Sequence, residues 1–356
     1  MEKNNKTLNV PHLRFPEFSG EWETGKIKQV CDIATGNKNT QDKSDDGIYP
    51  FYVRSQTVER INSWSFDGEA ILTAGDGVGV GKVFHYSIGK IGVHQRVYIL
   101  SNFTCDSKYL FHYFSSRFYT RVKRMSAKNS VDSVRMEMIA DMPIYLASKD
   151  EQRKIGYLLS LLYERIETQK KIIEKYESLI RGLCEKLTRH GATNKTIAEC
   201  LECHSSTLQE SAVLDAGSYP VYGAIGICGY TDTPDVSGDG ILIIKDGASV
   251  GVTYFADGSY SSIGTLNRLT AKEDINLRYI YYCLKVLNFT PYKTGLAIPH
   301  IYFKDYGKHK IWCPPLEQQS SIADALTTID NKIQVEKSLL EQLNSQKRYM
   351  LNQLFI

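Results

Sequence analysis

A chain of 356 residues, 42% hydrophobic and 23% charged, has the length for two or three packed domains and the wrong composition for a disordered one. Its formal net charge of +3 is too small to imply a nucleic-acid partner unless the cations cluster. No apolar run reaches the roughly 18–20 residues of a membrane span, the opening MEKNNKTLNVPHLRFPEF lacks the apolar core of a secretory leader, and the eight cysteines are scattered, so a cytoplasmic protein with reduced thiols and no membrane partner is expected.

Residues 1–150 read as a first globular domain. In it GIYPFY (47–52) precedes AILTAGDGVGVGKVF (70–84), a β-branched strand, a Gly-rich turn and another strand. Over 151–189 the pattern becomes helical. Ile155, Leu159, Leu162, Ile166, Gln169, Ile173, Tyr176, Ile180, Leu183 and Leu187 alternate spacings of four and three, a heptad seam too long for an ordinary core helix. Residues 190–314 form a second domain, in which GSYPVY (217–222) and GILIIKDGASVGVTYF (240–255) repeat the first pattern. Gly47, Tyr49, Pro50, Tyr52, Asp76, Gly77 and Gly81 return 170 positions later as Gly217, Tyr219, Pro220, Tyr222, Asp246, Gly247 and Gly251.

Residues 315–356 carry a second seam, now 167 positions after the first: Ile322, Leu326, Ile329, Ile333, Glu336, Leu340, Leu343, Lys347, Met350 and Leu354. Gln169 and Glu336 interrupt the two seams at equivalent places. A duplication of this period, domain then helix and again domain then helix, covers nearly the whole chain. At about 1.5 Å per residue each helix is roughly 50 Å long. The seams pair either within one chain, antiparallel if a pseudo-two-fold axis relates the halves, or between two copies; pairing within the chain is the simpler arrangement. Two similar but diverged domains on a stiff spacer suit two binding sites at a fixed distance. On DNA, at about 3.4 Å per base pair, that distance is roughly one helical turn or somewhat more.

This order of parts resembles the specificity (S) subunits of bacterial type I restriction–modification systems. The resemblance rests on LRFPEF…GEW (13–22), on EQRKI (151–155) and on PPLEQQSSIADAL (314–326), which is similar to the family's PLEEQ.KIA.I.L pattern, and it covers essentially the whole chain. Lys154 keeps the family's lysine, whereas Ser321 departs from it. The resemblance implies a mixed α+β fold: two globular α/β target-recognition domains in a pseudo-two-fold repeat, separated by two long antiparallel coiled-coil helices. It implies that each domain reads one half of a bipartite, asymmetric site on double-stranded DNA. The helices would set the gap and dock two modification (methyltransferase) subunits; Ile155, Leu159, Leu162, Ile166, Ile173, Leu183, Ile322, Leu326, Ile329, Ile333, Leu340 and Leu343 are the coiled-coil and partner-interface candidates. Restriction/translocase subunits would complete the enzyme. S-adenosylmethionine, ATP and Mg would belong to those partners, and this chain would be non-catalytic, with no cofactor and no metal.

Direct readout needs paired donors and acceptors, Arg or Lys for guanine and Asn or Gln for adenine. In the first domain the polar loop candidates are Asn37, Lys38 and Asn39, Arg54 and Gln56, Lys82, His94, Gln95 and Arg96, and Lys128, Asn129 and Ser130. In the second they are Tyr222, Lys245, Asn267, Arg268, Lys293, Thr294 and His300. The offset of 167 places Lys128 with Gly295 and Ser133 with His300, at a loop that by resemblance lies near DNA. For any one of these residues a solvated surface role is as good an account. The Asp-Gly turns have two uses as well: glycines that let backbone amides approach phosphates, or simple hairpin turns. The 23 tyrosines likewise fit half-buried strands or wet, polar interfaces.

Motifs for chemistry fail on inspection. GDGVGVGK (75–82) has Asp76 where a phosphate loop needs its first glycine, and Val83 follows Lys82 in place of Ser or Thr. GxGxxG breaks at Val80, and Cys313-Pro314-Pro315-Leu316 is not the Asn- or Asp-Pro-Pro-Tyr run of an amino-methyltransferase. Cys200-x-x-Cys203-His204 lacks a second ligand pair for zinc. The competing functional class is a non-enzymatic coiled-coil scaffold whose globular domains bind protein or glycan partners.

Overall fold

A computed structural model describes residues 9–125, 133–295 and 297–356; Lys128, Asn129 and Ser130 lie outside them. The fold is mixed α and β, with two α/β domains and two long helices, α3 (Lys149–Thr188) and α7 (Leu316–Gln353). Two compact units result: Met1–Gln169 with Leu340–Ile356, and Lys170–Leu339. These compact units divide inside the helices, after Gln169 and before Leu340.

The first unit opens with β1 (Glu23–Lys26) and continues through β2 (Asp32–Thr35), β3 (Tyr49–Tyr52), β4 (Glu59–Ile61), β5 (Phe66–Ala74), β6 (Phe84–Val93) and β7 (Val97–Ser101). Helices α1 (Ser107–Met125) and α2 (Met136–Ala140) and strand β8 (Pro143–Leu146) follow. β1 and β8 form a ribbon, and the rest make one six-stranded sheet in the order β2-β7-β5-β6-β3-β4. The second half of β5, AILTA (70–74), reads as a nearly continuous apolar run because both sheet faces are covered there. Ile71 joins the core under α1 with Phe114 and Phe118, while Ala70 and Leu72 join a second cluster with Ile91, Val93 and Ile99.

The second unit contains β9 (Lys195–Thr196), α4 (Ile197–Cys200), β10 (Leu201–Ser205), β11 (Tyr219–Gly223), β12 (Gly226–Thr231), β13 (Val236–Ser237), β14 (Gly240–Ile244), β15 (Thr253–Ala256), β16 (Ser259–Ser262) and β17 (Leu266–Ala271). Then come α5 (Leu277–Lys285), α6 (Phe303–Tyr306) and β18 (Lys310–Ile311). Its sheets run β10-β17-β14-β15 and β12-β11-β16-β13. The single strand β6 of the first domain is here two strands. Gly89 (φ 97°) kinks β6 opposite Gly68 (φ 142°), and the equivalent Gly258 (φ 71°) and Gly238 (φ 109°) bend the chain enough to interrupt pairing.

Equivalent hydrogen bonds hold each long helix to its domain. Gln152 accepts from the Asp106 amide at 3.0 Å and donates to the Ala147 carbonyl at 2.7 Å. Gln319 accepts from the Asn276 amide at 2.9 Å and donates to the Pro314 carbonyl at 2.8 Å. Asp106 and Asn276 in turn accept from the amides of Tyr109 and Tyr279, capping α1 and α5. The Glu-Gln motif is thus a joint between helix and domain.

The N-terminal motif exists to clasp the first joint. Arg14 donates to both oxygens of the buried Glu151 at 2.8 Å, Lys154 pairs with Glu17 and lies over the Phe15 ring, and Trp22 enters the core. No comparable segment precedes the second joint in sequence, which explains why Gln318 and Ser321 replace the two charges there.

The seams are buried as their spacing requires. Ile155, Leu159, Leu162, Ile166, Ile173, Ile322, Leu326, Ile333 and Leu343 are buried, and Leu183, Ile329 and Leu340 half-buried. In the second unit Glu177 meets Lys337 while Cys184 and Leu326 share one core; in the first, Lys347 lies over Tyr163 while Leu159 and Leu354 share another. The helical segments of each unit therefore run antiparallel.

Candidate nucleic-acid interface

Each domain builds its polar surface from the same three loops. The connection from β5 to β6 (75–83) is a hairpin whose last strand pair is Thr73 with Phe84, and that from β14 to β15 (245–252) ends on Ile243 with Thr253. The Asp-Gly pairs therefore lie in hairpins, but in eight- and nine-residue loops rather than tight two-residue turns. A side chain at Gly79 would sit 2.2 Å from the Arg54 carbonyl oxygen, so this glycine serves a close backbone approach.

A loop after β3 and the turn before β7 complete the first surface. His94 donates its amide to the Tyr52 carbonyl, Gly75 to Arg96, and Val134 to Gly75. Three bonds repeat this frame in the second domain: Ile263 to Tyr222, Lys245 to Thr265 and Ile301 to Lys245.

On the first frame the sequence candidates Arg54 and Arg96 come together over Asp76. Arg54 Nη1 donates to Asp76 Oδ1 at 2.9 Å, and Arg96 Nη1 stands 3.5 Å from Oδ2. Gln56, Gln95 and Asn37 are exposed around them. Lys38 donates to Ser63, Asn39 is held by Asp42, and the exposed Lys82 lies over the Tyr119 ring. His94 is buried; its Nδ1 accepts from the Arg96 amide at 3.0 Å. Burial, reinforced by the Arg54 charge, pushes its pKa down. A neutral ring buried this way supports the loop that carries Arg96.

The second frame gathers Lys245, Thr294 and His300, with Lys293 exposed beside them. His300 Nδ1 lies 2.7 Å from Asp246 Oδ1. Three candidates sit elsewhere. Asn267 is buried and accepts from Ser205, Arg268 packs by Tyr260 and Gly240 at the opposite end of β14, and Tyr222 stacks edge-on with Tyr260. Sequence reasoning looked for polar groups and so passed over the exposed apolar tips Val78, Ile225 and Ile298, side chains of the kind that contact thymine methyls. The Asp-Gly pattern marks turns, and nothing in it shows that the Asp76 and Asp246 carboxylates hold neighbouring side chains. The Cys200 and Cys313 thiols are buried, and among the described residues no cluster of three possible metal ligands occurs.

A duplicated α/β domain whose copies share a frame and differ in the groups held out to solvent, carried on long helices, is a paired recognition module. The chain belongs to the family described as the type I restriction modification DNA specificity domain, whose model matches residues 19–178 and 193–345. It is similar to the type I restriction enzyme EcoDI specificity subunit of Escherichia coli, 26% identical over 161 residues, or 45% of this chain and 35% of that protein. It is also similar to the MjaVIII specificity subunit of Methanocaldococcus jannaschii, 34% identical over 123 residues, 34% of this chain and 29% of the other. These matches thus span about a third of each relative's length. A crystal structure of a type I restriction–modification S subunit from Mycoplasma genitalium shares the fold, with a TM-score of 0.77 at 19% identity over 98% of this chain and 99% of that one. No helix among the described residues is long and apolar enough to cross a membrane.

Proposed function

We propose that this chain is the sequence-reading, non-catalytic subunit of a type I restriction–modification enzyme in the cytoplasm. Each domain reads one half of a bipartite, asymmetric site on double-stranded DNA. The long helices set the gap and dock two methyltransferase subunits, to which restriction subunits are added. S-adenosylmethionine, ATP and Mg act in those partners. The observation that carries this reading is one loop frame present twice with different side chains on it: Arg54 and Arg96 around Asp76, His300 against Asp246. Shared frames with unlike contacts are what two unlike half-sites require.

The test is selection from a random DNA pool by the chain assembled with its methyltransferase partners. A two-part motif with a constant unread gap is expected. Recovery of only salt-sensitive, sequence-independent binding would refute the reading.

A further inference from the structure

The two domains hold a carboxylate at the same point of the same frame and surround it differently. Asp76 bridges to Ser133 along the backbone, and Asp246 to His300. The shared hydrogen bonds match Arg96 with Thr265 and Ser133 with His300, and the repeat offset matches Arg54 with Ala224. In the first domain the carboxylate is therefore met by arginines from two loops, with a serine at the third place. In the second those two places carry Ala224 and Thr265, and the third carries a histidine.

Each pairing leaves a defined edge free. Arg54 commits Nη1 to Asp76, and among the described residues its Nε and Nη2 have no partner. Two parallel N–H donors are what guanine O6 and N7 accept. A carboxylate only accepts, so the hydrogen between Asp246 and His300 sits on Nδ1. In the neutral form of the ring that leaves Nε2 as a lone-pair acceptor, and it has no partner among the described residues. Its complement on a base edge is an exocyclic amino group, N6 of adenine or N4 of cytosine.

We propose that Asp76 and Asp246 are positioning residues that aim the base-reading side chain of each domain, Arg54 at a guanine and His300 at the amino group of an adenine or cytosine. This rests on the DNA-reading function above. The carboxylate is the constant part of the device, and changing what it holds changes the base read.

The experiment is the same pool selection with the assembled complex. Wild type should show guanine at a position of the first half-site that Asp76→Ala and Arg54→Ala both relax, by roughly tenfold, with the second half-site intact. Asp246→Asn carries an amide that can donate to Nδ1 as well as accept from it, so it no longer holds the ring hydrogen on Nδ1. Preference at one position of the second half-site should then move from adenine or cytosine toward guanine or thymine. His300→Ala should lose preference at that same position, and it carries the test should Asp246→Asn fail to assemble.

Motifs unchanged in Asp246→Asn and His300→Ala would overturn the assignment, as would guanine at the His300 position in wild type. A wild-type complex that selects no two-part motif would overturn the DNA-reading function itself, which separates the two failures.

Discussion

Glu151 shows how one residue can be legible as a motif and opaque in its purpose. The sequence marks it as the start of a helix signature; only the fold reveals a fully buried carboxylate held by Nε and Nη2 of the Arg14 guanidinium. Removing one member of such a pair leaves an uncompensated buried charge. Arg14→Ala should therefore lower stability by about 3 kcal/mol, read from the denaturant midpoint.

His112 offers a second residue-scale test. Burial, with Lys347 adding to it, lowers its pKa to about 3, against about 6.5 in the unfolded chain. Between those values the unfolded chain binds a proton that the folded one refuses, so stability rises with pH across the window and is lost as pH falls below about 6.5. From pH 6.5 to 5 the loss is about 2 kcal/mol. His112→Phe should flatten that slope in unfolding titrations at pH 7 and 5; an equally steep variant would place the proton elsewhere. The polar loop residues were the least legible: nothing local separates the exposed Arg96 from the buried His94 two positions before it.

At the scale of elements the heptad seams were the clearest signal, because a spacing of four and three over ten positions lines one face of a long helix with apolar residues. The β-branched runs at β5 and β14 were equally readable. Missing from the sequence was the division of β6 into β15 and β16, since glycine pairs occur at both places and only pairing geometry distinguishes a kink from a break. If the helices set the gap, one heptad inserted near Ile173 together with one near Leu340 adds about 10 Å, or roughly three base pairs. Methylated-adenine mapping in cells carrying the lengthened subunit should show the longer gap between unaltered half-sites. An unaltered gap would sink the spacer role.

For the whole molecule, the duplication was legible from two hexapeptides and an offset of 170 that becomes 167 in the helices, and it set the two-domain reading. How the core is partitioned was not, because contributions from residues distant in sequence leave no local trace. Exchange of residues 36–142 for those of a relative should change one half-site and leave the other as it was, since the loops that carry Arg54 and Arg96 travel with that segment. Changes in both half-sites would show that the domains do not read independently.

Leu354 and Phe355 are buried in the first unit's core, where the Phe355 ring meets Tyr109 and Tyr113 at 5.2 and 5.3 Å. The second unit is contiguous in sequence; the first is not. During translation at about 5–20 residues per second, the half that emerges earlier waits roughly 10–40 s for its missing piece. The half made later can close without delay. Birth order and completion order are thus inverted, and the earlier half spends that interval with an open apolar notch, the period in which a chaperone would have most to protect.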